Sequence, residues 1–137
     1  MLTQFPEDFG AVVCGVPLLD MRRYTRLSAG ASWIAEYGDP DDPDDWAFIR
    51  TFSPYHLVDP HRPYPPSLFF SATSDDRVGP VQARKMVARL QEQTDAEVHY
   101  LEQDEGGHAG AIDSAATAAL NATVYSFLDD VLVRRPA

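Results

Sequence analysis

The chain has a single cysteine, Cys14, among its 137 residues. An intrachain disulfide and a cysteine-based metal site are therefore both excluded. It is also short of positive charge, with 11 Lys and Arg against 21 Asp and Glu and a net charge of −10. No basic cluster is longer than a pair (Arg22-Arg23, Arg134-Arg135), so nucleic acid, whose phosphates need a basic surface, is not an expected partner. No apolar run approaches a membrane span, and the first residues do not form a basic segment followed by an apolar one. What remains is 45% apolar and 23% charged, the balance of an ordinary globular domain. One domain is expected from the length, with enough chain to bury a core. These features predict a soluble, cytoplasmic, acidic domain, and no cofactor is implied.

The organising stretch is Leu68 to Pro80. Leu68 to Ala72 is a short apolar run of the kind that makes a buried strand. It gives way to Ser74-Asp75-Asp76, and Gly79-Pro80 punctuates a turn before a helix beginning at Val81. Two further strands are expected, Ala11–Val16 and Glu97–Leu101. Ala83, Met86, Val87 and Leu90 recur at helical spacing, as do Leu120, Val124, Phe127, Leu128 and Val131, predicting two amphipathic helices that face a core. Met1 to Phe5 reads as the last turn of a helix. The alternation of strand and helix predicts an α/β fold, three mostly parallel strands with flanking helices.

Other stretches carry weaker signals. Asp39 to Asp45 is acidic but lacks the glycine and distal glutamate of a calcium loop; Asp41 or Asp42 before Pro43 suits a helix cap. His56, Asp59 and His61 lie in a proline-rich connector with no regular element to fix their spacing, so no metal site is expected there. Trp33 and Tyr37 fit either core filling or a pocket wall. Asn121-Ala-Thr123 matches a glycosylation sequon inside a helix and is read as chance.

In a parallel sheet, adjacent strands deliver their carboxyl ends to one edge, where ligands bind and chemistry is done. Asp75 follows the second strand, and His108 sits in a glycine-rich loop after the third. A carboxylate beside an imidazole fixes its tautomer and stabilises the imidazolium, which is the Asp–His half of a catalytic triad. The order acid then histidine is that of α/β hydrolases. Capping of the next helix is the alternative use of these aspartates.

Five motifs resemble the C-terminal part of the catalytic domain of the prolyl oligopeptidase family of serine peptidases. They are Pro17-Leu-Leu-Asp-Met21 with Tyr24, Gly30-Ala-Ser-Trp-Ile-Ala-Glu-Tyr-Gly-Asp39, Ser53-Pro-Tyr-His56, Ser74-Asp-Asp-Arg-Val78 with Pro80, and Gly106-Gly-His-Ala-Gly110. The similarity runs from about Phe5 to about Leu132. It implies an α/β-hydrolase fold, with Asp75 as triad acid and His108 as base. It implies further that Arg77 holds a substrate carbonyl, and that Trp33, Tyr37, Val78 and Leu18 line a pocket for proline. A proline-containing oligopeptide is the substrate the resemblance implies for a completed enzyme. Asp76 is expected to cap the helix or pair with arginine, and Glu36 and Asp39 to lie in solvated loop.

One part of the family pattern is missing. Gly-x-Ser-x-Gly, the nucleophile elbow of such hydrolases, does not occur; the nearest fragment, Gly30-Ala-Ser32-Trp-Ile, lacks the second glycine. The expectation is that residues 1–137 form a partial catalytic domain, the segment downstream of the serine, inactive alone. Its first strand would expose an edge able to pair with another chain. Two alternatives stand beside this: a non-catalytic pairing module that completes or binds another hydrolase chain, and a fragment of an esterase.

Overall fold

The computed structural model describes residues 1–104, 106–108 and 113–135. At its centre is β2, Ser67–Ala72, flanked by β1, Val12–Gly15, and β3, Val98–Gln103, in the order β1-β2-β3. Both pairings are parallel, Val12 opposite Ser67 and Ser67 opposite Val98. The expected α/β architecture is thus what the chain adopts, with strand ends moved by one or two residues. β1 is shorter than Ala11–Val16 because Val16 has φ +42, outside the extended region that a β-branched residue prefers. Gly15 leaves room for the Phe70 ring, which a Cβ at 2.2 Å would displace.

Side chains alternate across β2. Phe69 points into a core made with Leu19, Val58, Val98 and the inward face of α3, Val81–Gln93. That face is Met86, Val87 and Leu90, each less than a tenth exposed, as the spacing predicted. Full burial contributes about 1.5–3 kcal/mol per such side chain, so α3 is the principal apolar anchor of the sheet. On the other face lies α4, Ser114–Asp129, continued by a wider π-type turn, Asp130–Arg134. Its stripe only half meets expectation. Leu120, Val124, Phe127, Leu128 and Val131 are half-buried, none of the helix is fully buried, and Tyr125, Leu132 and Val133 are exposed. A sheet of three short strands gives a long helix little to cover. Phe127 reaches the His99 ring edge-on at 5.8 Å, and Arg135 pairs with Glu97.

Between β1 and β2 the chain makes short turns rather than long helices. Gly30–Trp33 is a 3₁₀ turn that runs into α1, Ile34–Tyr37, and α2 is Pro43–Ile49. Asp42 is the α2 cap: its side chain accepts from the N–H of Asp44 and Asp45 at 2.8 and 3.1 Å, with Pro43 at the first helical position. Met21, Tyr24 and Ile49 form a second core cluster, against which Leu18, Trp33, Tyr37, Trp46 and Phe52 pack. Met1 to Phe5 makes a hydrogen-bonded turn, Phe5 N–H to Met1 C=O at 2.8 Å. Among the described residues no helix is long and apolar enough to cross a membrane.

The carboxyl ends of β2 and β3 are laced by Glu102. It accepts from Arg84 of α3, from Thr73 and from Tyr100, the Nε, Oγ1 and OH contacts being 2.8, 2.7 and 2.7 Å. Arg84, followed by Thr73, holds its carboxyl down at about 2; Arg135, followed by His99, does the same for Glu97. A carboxyl depressed by folding stabilises the fold above its unfolded value of about 4.3. That contribution is lost as pH falls through the folded value. The urea midpoint is therefore expected to fall between about pH 5 and about pH 2.5, and to fall less in Glu102→Gln. An equal fall in the variant would contradict this role for Glu102.

Candidate active site

The turn after β2 is built on Asp75, which is almost fully buried. Its Oδ1 accepts from the backbone N–H of Arg77 and of Val78, both at 3.0 Å. This is the local side-chain bond by which aspartate shapes a turn. Its Oδ2 meets Nδ1 of His108 at 3.1 Å. Of the two uses posed from the sequence, the pairing is present and the helix cap is not: α3 begins at Val81 behind Pro80 with no side-chain cap, and Oδ1 closes the turn before it instead. Burial pushes the carboxyl up, but the Val78 N–H, His108 and the Arg77 N–H outweigh it and leave it below the usual range. Asp75 is thus an anion at neutral pH, and a His108 Nδ1–H directed at it would leave Nε2 free to take a proton.

His108 also borders a cavity of about 210 Å³. Its apolar walls are Leu18, Trp33, Tyr37 and Val78, and Arg77 and Glu36 supply charge. Leu18, Trp33, Tyr37, Arg77 and Val78, the pocket residues named from the resemblance, therefore line one cavity with His108, which Asp75 holds. The volume is below the roughly 300–1,000 Å³ of ligand pockets, which suits one side chain rather than a whole small molecule. Trp33 and Tyr37 serve as wall and core together, since both also pack on the Met21–Tyr24–Ile49 cluster.

Two expectations change. Asp76 is exposed, and among the described residues its side chain has no hydrogen bond or ion pair, so it neither caps nor pairs with arginine. Glu36 is exposed as expected but lies on α1 and borders the cavity. Ala109 and Gly110 of the glycine-rich motif lie outside the described residues.

The walls are held in place by contacts that cross the fold. The Ala29 N–H donates to the Arg77 carbonyl at 3.0 Å, tying the Trp33 segment to the Asp75 turn. Gly79, at φ +80, lets Ser28 approach so closely that a Cβ would sit 2.5 Å from its Oγ. Tyr24 donates to the Gly38 carbonyl at 2.5 Å and meets Tyr37 edge-on.

Behind Leu18 is a polar cluster that sequence reasoning missed. Asp20 is fully buried and binds Lys85 and Arg23. Burial raises its carboxyl, but Lys85, Arg23 and His56 bring it below the usual range. Gln82 Oε1 accepts the Leu19 and Asp20 N–H at 3.1 and 2.7 Å. Ser53 takes the Met21 N–H and bonds His56 Nδ1 at 2.8 Å. His56 is therefore part of this buried cluster, and among the described residues no group of three metal-ligating side chains is found. A separate cavity of about 310 Å³, lined by Pro60–Tyr64, Asp95 and Ala96, lies before β2 and β3, at the amino end of the sheet.

A parallel sheet with an acid and a histidine at its carboxyl edge is the arrangement of the α/β-hydrolase fold. Comparison with known proteins narrows this. The prolyl oligopeptidase family model matches residues 1–134, and the chain belongs to that family. It is 50% identical over 127 residues to an uncharacterized peptidase of Sinorhizobium fredii, covering 93% of this chain and 17% of the relative. A prolyl oligopeptidase of Omphalotus olearius is 44% identical over 90 residues, which is 64% of this chain and 12% of that protein. Among solved structures, a prolyl endopeptidase superposes with a TM-score of 0.88 at 44% identity, over 96% of this chain and 20% of its own. A post-proline cleaving enzyme from Rickettsia typhi gives a TM-score of 0.91 at 36% identity, over 96% and 19%. The chain thus spans about a fifth of the length of these relatives.

Gly79→Ala tests how the two halves of the cavity are joined. Both the positive φ and the Ser28 contact oppose a Cβ, so a loss of about 1–3 kcal/mol in unfolding free energy is expected by urea denaturation. An unchanged midpoint would show that this close approach is not maintained in solution.

Proposed function

We propose that this chain is a segment of a prolyl oligopeptidase-type serine peptidase catalytic domain that carries the acid and the base but not the nucleophile. Asp75 orients His108 and stabilises its imidazolium; His108 moves the proton between the attacking hydroxyl and the leaving amine. Trp33, Tyr37, Val78 and Leu18 receive the proline ring, and Arg77 donates to a substrate carbonyl. The observation that carries the proposal is the 3.1 Å contact between Asp75 and His108 beside that cavity.

Hydrolysis also needs an attacking oxygen. Gly-x-Ser-x-Gly is absent from the sequence, and the oxyanion-hole donor next to that serine is absent with it. The isolated chain is read as inactive for this reason, and as the segment that follows the serine. The cytoplasm is the compartment this reading expects, with Cys14 a free thiol.

A second reading, a pairing module, is favoured by β1, which among the described strands bonds only β2. Val12 donates to Pro66, just before β2, and Val16 to Phe70, so alternation turns the N–H of Val13 and Gly15 to the open side. A parallel apolar strand from the serine-bearing part of such a domain would fit that edge. The two readings then describe one complex.

Mixing the chain with the separately produced serine-bearing part of a prolyl oligopeptidase catalytic domain tests both. Hydrolysis of a blocked Gly-Pro chromogenic substrate is expected from the mixture and from neither part alone, and Asp75→Asn in this chain should lower kcat by about 10⁴-fold. A mixture that binds but cleaves equally well with Asp75→Asn would overturn the assignment of the acid.

A further inference from the structure

His108 lies on the loop after β3. Among the described residues, two side-chain hydrogen bonds reach positions 104 and 106–108: His108 to Asp75, and Ser74 Oγ to the Gly106 carbonyl. The first is not tight. At 3.1 Å it is longer than the roughly 2.7–2.9 Å of a strong charge-assisted bond. The second is short, 2.5 Å, and joins residues 32 apart. Gly106 is buried and has φ +104, a conformation that favours glycine. Consecutive side chains of one turn, Ser74 and Asp75, therefore grip the loop at two points.

We propose that Ser74 is a positioning residue: its hydroxyl clasps the Gly106 carbonyl and so holds His108 within reach of Asp75. This rests on the acid–base reading given above and adds a residue that acts on the histidine without touching substrate. Ser74 is exposed, so its side chain does not serve the core. The backbone of the turn is already ordered by the two N–H bonds to Asp75 Oδ1. Removing the hydroxyl leaves the turn intact and releases the Gly106 carbonyl. One hydrogen bond of this kind is expected to change the ratio of paired to unpaired His108 by about threefold to tenfold.

The test is a double-mutant cycle read by NMR titration of the Asp75 side-chain carboxyl in the 137-residue chain. His108→Ala should raise the Asp75 titration point, because the imidazole is one of the groups holding it down. Ser74→Ala should raise it in the same direction, and Ser74→Ala should add nothing once His108→Ala is present. Ser74→Thr and Ser74→Val have the same shape, and only Thr keeps the donor. Thr should behave as wild type and Val as Ala, which separates the hydroxyl from any loss of packing or folding. A rise with His108→Ala but none with Ser74→Ala or Ser74→Val would overturn the role of Ser74 and leave the pair standing. A rise with Ser74→Ala that persists in the His108→Ala background would also overturn it, because Ser74 would then act on Asp75 directly. No rise with His108→Ala would mean that the pair is not formed in solution, overturning the acid–base reading and this inference together.

Discussion

The division of labour between the two oxygens of Asp75 is the constraint on which the site depends. Oδ1 is committed to the N–H of Arg77 and Val78, and Oδ2 is left for His108. A carboxylate engaged only by the histidine could rotate away from it; one held by its own turn cannot do so without breaking two backbone bonds. The same bonds set the path of the chain through Val78 and Gly79 into α3. The residue that aims the imidazole is therefore also the one that shapes the wall beside it. Burial pushes this carboxyl up, and the turn's N–H donors together with His108 hold it below the usual range.

Around that turn, the fold turns long-range contacts into local geometry. α3 is anchored below by Met86, Val87 and Leu90, and it presents Gln82 and Lys85 to the loop that carries Leu18. The Trp33 segment is tied to Arg77 and fitted against Gly79. The cavity walls thus come from separate stretches of chain, yet each is bonded to the Asp75 turn or to the helix it begins. Apolar burial sets the scaffold, and a small number of directional bonds set the site.

Much of this was legible in the sequence. The run Leu68–Ala72 and the spacing of Met86, Val87 and Leu90 are local signals that one buried partner suffices to satisfy. α4 was legible as a helix but not in its burial, since periodicity reports which face is apolar and not how wide a surface awaits it. The Asp20 cluster was not legible: Gln82 and Lys85 lie 62 and 65 residues from Asp20, and nothing in either stretch marks the pairing. For the same reason Glu36 read as loop, because its place beside the cavity follows from where α1 packs. Periodicity could not separate Asp75 from Asp76; family resemblance pointed to the first. The physical difference is that one carboxylate turns inward onto two N–H groups and the other faces water.

The central proposal is that this chain carries the acid–base pair and proline pocket of a serine peptidase with no nucleophile of its own. Incubation of the purified chain with a fluorophosphonate probe, read by intact mass, tests it most directly. Only an activated serine in a working hydrolase site captures that probe efficiently. The account predicts an unchanged mass. A covalent adduct on any serine of this chain would contradict it.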